Sequence, residues 1–536
     1  MTFRKEVEEC ERQSALKTAA RNILKGVEKW RERKNIASKR WIWELIQNAV
    51  DCGIRDEKSI KVRVRFDGKT LQFEHTGGCF LPDELGALIT GGSTKPYGRP
   101  SEYTGRFGSG FLVTHILSLI VDVEGIGKSS SGDKFFKFKL TLDRSGKNED
   151  EILNKIDESH KQLDCAVELD KEPEEVISRF TYHIADEDYV SNMLIDLINL
   201  LKEEIPFVML LKGETLREVH IDMVTHNKQY KWTCISVSDE VWNGLFVRKA
   251  IVEYEERVEN SLSSKITIEV IGFKPEEDCN VMCSIAVKHE DCGKEVIDVS
   301  HIPKIFAPYP LIGASEDLGL RVVICADKLE VTEDRNFIKM EGKPGEENKS
   351  KMEKLIGIIP KIVRYAIDKG WRGAHRLALI TRTPETLPGY GWWNEQLRKI
   401  VEHLINMCIV KTADGKLLKP CDENLWFLLP LIRKYEEYGD IPADYADFDQ
   451  EHFLTFWEID SEVYKLPEVD KDIAYEWQYI VRNWLKLLDD TDESKPQLWT
   501  LEDFCNQIKE EGQQLNLKKQ HLQSLIKILD LSLIHI

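Results

Sequence analysis

At 536 residues the chain is too long for one hydrophobic core, and its length fits three or four domains. Its 42% hydrophobic content is that of an ordinary globular protein. Acidic residues outnumber basic ones, 93 to 74, and the resulting net charge of −19 argues against the bulk surface as a binder of nucleic acid or of an anionic membrane.

Residues 3–34 are polar with a helical pattern. A local basic exception runs from Arg21 to Arg40 through Lys25, Lys29, Arg31, Arg33, Lys34 and Lys39, but Glu28 and Glu32 interleave with it, which reads as a solvated helix face. The opening "MTFRKEVEEC" lacks the apolar core of a secretion signal, and no uncharged apolar run approaches a membrane span. Twelve scattered cysteines in such a chain read as reduced thiols, which points to the cytosol.

The next helix, "WIWELIQNAVDCG", ends near Gly53 and has Trp41, Ile42, Trp43, Leu45, Ile46, Ala49 and Val50 to bury. It also carries Glu44, Asn48 and Asp51, whose i, i+4, i+7 spacing puts them on one face. A polar stripe on a buried helix is costly unless it is solvated or faces a ligand, and the helix alone leaves both open.

"SIKVRVRFDGKTLQFEHTGG" gives two alternating runs around Asp67-Gly68, a hairpin signal. "LPDELGALI" predicts a short helix. "TGGSTKPYGRPSEYTGRFGSGF" is too rich in Gly and Pro for regular structure and runs into an apolar helix expected over Phe111–Leu119. Strands are expected at "LIVDVEGIG", "KFFKFKLTLD" and "VISRFTYHIA", with a charged helical insert at about 148–165 and a helix at "YVSNMLIDLINLLKEEI". From about 213 the chain turns strand-rich, with "LREVHIDMV", "KITIEVIGF", "VMCSIAVKH" and "LRVVICADKL", and a long helix at about 349–369 closes that stretch. Cys279, Cys283, His289 and Cys292 have the makings of a zinc site, but one extended strand cannot easily wrap a tetrahedral ion, and Cys283 reads as a small buried hydrophobe. After 373 the pattern is mostly helical and Trp-rich, with no repeat of fixed period. The sequence stops at "LSLIHI" in mid-pattern, as a fragment of a longer protein does, although an apolar last strand or helix ends the same way.

The order of the N-terminal parts carries the functional signal. A Glu-x-x-x-Asn-Ala-x-Asp helix is followed by the strand end "HTGG", a Gly-Ser-Thr-Lys stretch and "GRFGSGF". A carboxylate to activate water, a carboxamide oxygen for a hard cation and glycine-freed amides for phosphates are the parts of a metal–phosphate site.

In this order the chain resembles the GHKL ATPases of the Bergerat fold. "ELIQNAVD" looks like their N-box, "HTGGCF" their first glycine box and "GRFGSGF" their second, in the chaperone-type form. Sacsin-like proteins and the ninety-kilodalton heat-shock chaperones are the nearest resemblance. It covers roughly 14–212 and extends into "GLRVVICADKLEVTEDRNFI", which is similar to a motif of the chaperones' middle domain.

The resemblance implies an α/β (α+β sandwich) architecture: an ATP-binding domain over 1–212, an α/β middle domain over 213–372 and a mostly helical region over 373–536. It implies a cytoplasmic Mg²⁺-dependent ATPase with a lid-and-clamp cycle, a protein client or partner, and a homodimer as one possible assembly. Glu44 would be the general base and Asn48 the Mg²⁺ ligand, with Asp51 supporting the same wall. Thr76 would belong to the same box as Gly77, which would let adenine lie against the backbone. Lys95 would sit in the lid. The amides of Gly105, Arg106, Phe107, Gly108, Ser109, Gly110 and Phe111 would cradle the phosphates, and Arg335 would reach the γ-phosphate, with a surface salt bridge within "TEDR" as the alternative. His75 stands where most of the family has an adenine-binding Asp; it could accept from the adenine amino group or donate to a guanine oxygen. A kinase is disfavoured because no phospho-acceptor helix pair is present, and a MutL-like role by the acidic charge. The rival from another class is a nucleotide-gated regulatory or scaffold module, such as one in bacterial antiviral defence, with little turnover.

Overall fold

The computed structural model describes residues 3–92, 110–412, 415–422, 425–428, 471–488 and 495–499. The chain is mixed α/β. Two helices open it, α1 (Phe3–Glu32) and α2 (Lys34–Arg55), separated at Arg33. On α1 the buried residues are Ala20, Ile23, Val27 and Trp30, a stripe at helical spacing. The hairpin around Asp67-Gly68 forms as expected: β1 (Ile60–Phe66) pairs antiparallel with β2 (Thr70–His75), and Asp67 Oδ1 accepts from the amides of Lys69 and Thr70. Gly68 sits at φ 88°, which a side chain resists.

The remaining elements follow in order: α3 (Pro82–Thr90), β3 (Ile120–Lys128), β4 (Phe135–Asp143), α4 (Glu149–Gln162), β5 (Val167–Leu169), β6 (Ser178–His183), α5 (Glu187–Lys212), β7 (Leu216–Met223), β8 (Lys228–Trp242), β9 (Leu245–Val258), β10 (Ser261–Lys274), β11 (Val281–Glu290), β12 (Gly293–Val296), β13 (Ile305–Phe306) and β14 (Val323–Ala326). Strands are hydrogen-bonded in the order β5-β4-β3-β6-β2-β1-β7-β8-β9-β10-β11-β14-β13. Neighbours are antiparallel except at β1–β7 and β13–β14, which are parallel. Burial alternates strictly along β1, with Ile60, Val62, Val64 and Phe66 inside and Lys61, Arg63 and Arg65 outside. Helix α5 lies on β7 to β10 and on β14, and α2 contacts β1.

The chain divides into two compact units, one of 1–289, 301–316 and 323–348, the other of 290–300, 317–322 and 349–536. The boundary expected at 212/213 therefore falls inside the first unit. The physical reason is the β1–β7 pairing, which joins the strands on either side of α5 into one ladder.

Two local expectations differ from the structure, and one long hairpin has no counterpart among the expected elements. The apolar segment after the glycines is a 3₁₀ helix over Phe111–Ile116, not a helix to Leu119. The helix expected at about 349–369 is two, α6 (Gly342–Ile356) and α7 (Ile359–Asp368), because Gly357 interrupts the run and Pro360 restarts it at the first turn. The long hairpin β8–β9 leaves a weak sequence signal: β8 carries a register shift between Cys234 and Ser236, and its last residues lose the alternation that marks a half-buried strand.

The second unit holds α7, α8 (Tyr390–Leu404) and α9 (Lys471–Leu485). Trp393, Trp477 and Trp484 are buried there, and Trp484 Nε1 donates to the Ala378 carbonyl at 2.8 Å. Glu476 binds Arg376 bidentately, at 2.7 and 2.9 Å, and also contacts His375.

One core carboxyl has a measurable signature. Glu204 on α5 is 2% exposed and accepts from Trp43 Nε1 at 3.1 Å. Burial pushes its pKa up to about 8, with the Trp43 N–H opposing. The folded chain thus holds this proton more tightly than the unfolded chain. Its contribution is complete below about pH 4.5 and is lost as pH rises through about 8. Glu204→Gln should gain stability over wild type between about pH 5 and about pH 9, by on the order of a few kcal/mol, in paired thermal melts. Parallel pH profiles for the two proteins would contradict the assignment.

Candidate functional site

Helix α2 supplies the polar face. Glu44, Gln47 and Asp51 are 7, 2 and 8% exposed, and Asn48 is the one exposed residue between Trp41 and Val50. Carboxylates this buried do not form a solvated face, and the carboxamide beside them is open to a ligand.

Glu44 is held by cations. Arg40, one helical turn earlier, donates to its Oε1 from Nη2 at 2.8 Å and from Nε at 3.1 Å. The Arg40 guanidinium lies over the Trp30 ring of α1, 5.0 Å from its centroid. Arg335 arrives from almost three hundred residues away: its Nη1 donates to Gln47 Oε1 at 2.8 Å and lies 3.9 Å from Glu44 Oε1. All of these residues belong to the first unit.

Arg335 sits in a tight turn. Its N–H donates to the Thr332 carbonyl, the Thr332 N–H to the Phe337 carbonyl, and Thr332 Oγ1 to Asn336 Oδ1. Arg335 itself adopts φ 50°, a left-handed conformation that costs a residue with a side chain about 1–2 kcal/mol. Next to it, the Asp334 carboxylate takes Lys29 Nζ at 2.5 Å and Arg33 Nη1 at 2.7 Å, which hold it below the usual carboxylate range. The Asp334 carbonyl accepts from Arg40 Nη1. Asp334 pairs with Lys29 and Arg33, outside "TEDR", and the Arg335 side chain, 11% exposed, points to the α2 face.

Two glycines close on α2. A Cβ on Gly110 would lie 2.1 Å from Glu44 Oε2, so a side chain there would have to displace the carboxylate. A Cβ on Gly77 would lie 2.6 Å from His75 Nδ1 and 3.2 Å from the Cβ of Cys52. The Gly77 N–H donates to His75 Nδ1 at 3.1 Å. That bond commits the acceptor nitrogen and leaves the proton on Nε2, so the ring presents a donor. His75 stacks on Phe180, 6.5 Å away at 21°, and Phe111 lies 5.7 Å from the same ring. Thr76 Oγ1 accepts from the Lys61 amide at 3.0 Å. Arg55 ties the end of α2 to the β2–α3 connection, donating to Asp56, to Glu84 and to the Cys79 carbonyl at 2.7 Å.

Lys95, Gly105, Arg106, Phe107, Gly108 and Ser109 lie outside the described residues. Arg40, Gln47, Asp334, Lys29 and Arg33 were not anticipated at the site. Arg40 was legible in principle, four residues before Glu44 on one helix face. Gln47 was not, because its partner is 288 positions away. The outer sheet face carries a separate concavity of about 450 Å³ lined by Arg63, Arg65, Gln72, Glu74, Arg179 and Asp222. Its arginines are matched within the sheet, Arg179 by Glu74 at 2.5 Å and Arg63 by Asp222 at 3.4 Å.

Among the described residues no group of three or more His, Cys, Asp and Glu side chains is arranged to hold a metal, and no helix is long and apolar enough to cross a membrane. A single exposed carboxamide beside a buried carboxylate fits a hard cation that keeps most of its ligands from water and phosphate.

No protein-family model and no curated protein matches the chain. Solved structures similar to it include the B-subunit of DNA gyrase from Myxococcus xanthus, at 14% identity and TM-score 0.23, covering 42% of this chain and 67% of that one. The ATPase region of Saccharomyces cerevisiae topoisomerase II gives 14% identity and TM-score 0.25 over 39% of this chain and 57% of its own. The ATPase and transducer domains of topoisomerase II from Balamuthia mandrillaris give 14% and 0.24 over 40% and 55%. The chain thus spans little more than half the length of the latter two, and likenesses this loose add nothing to the residue geometry.

His75 yields a direct test. Burial, with the charge of Arg55 acting the same way, lowers its pKa to about 4. A depressed base is neutral in the fold, so its contribution is present above about pH 6.5 and is lost as pH falls through about 4. Its imidazole resonances should not titrate between pH 5.5 and 8 in nuclear magnetic resonance spectra. A midpoint near the ordinary histidine value would contradict the buried Nδ1 acceptor.

Proposed function

We propose that the chain is a Mg²⁺-dependent ATPase of the Bergerat-fold type, with the α2 face as its nucleotide site. The observation that supports this best is the meeting of Arg335 with Glu44, 3.9 Å apart on a helix whose only exposed residue over that stretch is Asn48. A general base, a cation-binding carboxamide and a distant arginine thereby share one face, in the motif order that resembles the GHKL family.

Each residue has a task. Glu44 takes the proton of an attacking water, and Arg40 holds its carboxylate in place. Asn48 would hold Mg²⁺ through its side-chain oxygen, and Asp51 lines the same wall. Bound Mg²⁺ would neutralise phosphate charge. The amides from Gly110 into Phe111, together with those of Gly105 to Ser109, would hold the phosphates. Arg335 would stabilise charge on the terminal phosphate. His75 offers the base an N–H through Nε2, which suits a ring nitrogen of adenine or the oxygen of guanine, so adenine preference rests on the remaining wall. Lys95 would close with the lid. The resemblance to sacsin-like and heat-shock proteins makes the cycle a conformational clamp acting on a protein client in the cytoplasm, with a homodimer as one assembly.

One observation favours the rival, a nucleotide-gated scaffold with little turnover. Two Arg40 hydrogen bonds already occupy Oε1 of Glu44, the carboxylate that would take the proton of water.

Steady-state turnover separates the two. Glu44→Ala should lose hydrolysis by about 10²–10⁴-fold while still binding ATP, because the base acts on water and does not hold the nucleotide. Loss of binding to the same degree would contradict its role. Asn48→Ala should weaken Mg²⁺-dependent ATP binding, and unchanged Mg·ATP affinity would remove it as a ligand. Arg335→Ala should slow turnover with ADP affinity unaltered, since ADP lacks the phosphate it reaches. No turnover by wild type under saturating Mg·ATP would favour the scaffold.

A further inference from the structure

We propose that Asp334 is a positioning residue: it latches the turn over Thr332–Phe337 onto α1 and so delivers Arg335 to the α2 face. The inference rests on the reading of that face as the nucleotide site. The side chains of two consecutive residues diverge. Asp334 turns to Lys29 near the end of α1 and to Arg33 at the α1–α2 junction, at 2.5 and 2.7 Å, and Arg335 turns to Gln47 of α2 at 2.8 Å. The left-handed backbone at Arg335 makes that divergence possible, and a conformation of this kind persists only where its surroundings fix it.

The same turn reaches Glu44 by a second route. Arg40 donates to the Asp334 carbonyl through Nη1 and to Glu44 through Nε and Nη2. One guanidinium therefore joins the turn's backbone to the carboxylate. If the turn leaves α1, Arg335 loses its placement and Arg40 loses its bond to the Asp334 carbonyl.

Lys29, Arg33 and Asp334 side chains are 44, 45 and 32% exposed, so these ion pairs add little to global stability. Their effect is on where the turn sits. That separates a latch from a structural brace, whose loss lowers the melting temperature.

The test uses the full chain with Asp334→Ala, the pair Lys29→Glu with Arg33→Glu, and the combined reversal of Asp334→Lys with both. Two readouts are taken: amide exchange at Arg335 and Phe337 without nucleotide, and kcat beside ADP affinity. Asp334→Ala and the Lys29/Arg33 pair should each speed exchange at these amides by about 10-fold and lower kcat by about 10- to 100-fold, with ADP affinity and melting temperature nearly unchanged. The combined reversal should restore both. Unchanged exchange overturns the latch, and faster exchange with wild-type kcat overturns its positioning role. A wild type without turnover would instead fail the ATPase reading, while the exchange data still decide whether the turn is latched. A variant that melts early and is not rescued by the reversal marks the contact as a brace and overturns the proposal.

Discussion

A carboxylate taken out of water governs this site. Glu44 is 7% exposed on a helix whose buried residues are mostly tryptophans and aliphatic residues. Breaking a buried ion pair from one side costs about 3–5 kcal/mol, so such a group requires cations with defined geometry. Arg40 meets that need from one turn away, and it is itself set over the ring of Trp30. Arg335 adds a second cation within 3.9 Å, but two like charges near one carboxylate need a further acceptor, which Gln47 supplies. Gly110 keeps that placement open, because a Cβ there would displace Glu44 Oε2.

The architecture makes this convergence reproducible. Parallel pairing of β1 with β7 carries the sheet across α5, so the strands that hold His75 and those that precede Arg335 belong to one ladder. The turn bearing Arg335 follows β14 and is closed by the bridge between Val331 and Ile338. In the clamp reading, a motion that separates this turn from α1 and α2 changes the charge around Glu44 without altering the helix that bears it.

Much of the fold was legible because its signals are local. The alternation of β1, the Asp67-Gly68 turn and the i, i+4, i+7 stripe of α2 depend on residues a few positions apart. Pairing between strands far apart in sequence, such as β1 with β7, leaves no local signal. The expected division near residue 212 follows the change to a strand-rich pattern, and the β1–β7 ladder runs across it. At the site, the stripe identified Glu44, Asn48 and Asp51, but the partners of Glu44 and Asp334 come from across the fold. Lys29 and Arg33 read as a solvated basic face because their counter-charge, Asp334, is about three hundred residues away. The acceptor role open to His75 in the sequence closed once Gly77 was seen to donate to Nδ1.

The claim that the α2 face binds nucleotide is tested most directly by the amide-exchange footprint of Mg·ATP on the intact chain. Slowed exchange should appear over the C-terminal half of α2, from Glu44 to Cys52, at Gly77 and Gly78, and at Gly110 and Phe111. ATP without Mg²⁺ should protect the same segments more weakly. Protection confined to the outer sheet face, or no Mg²⁺-dependent protection on α2, would contradict the account.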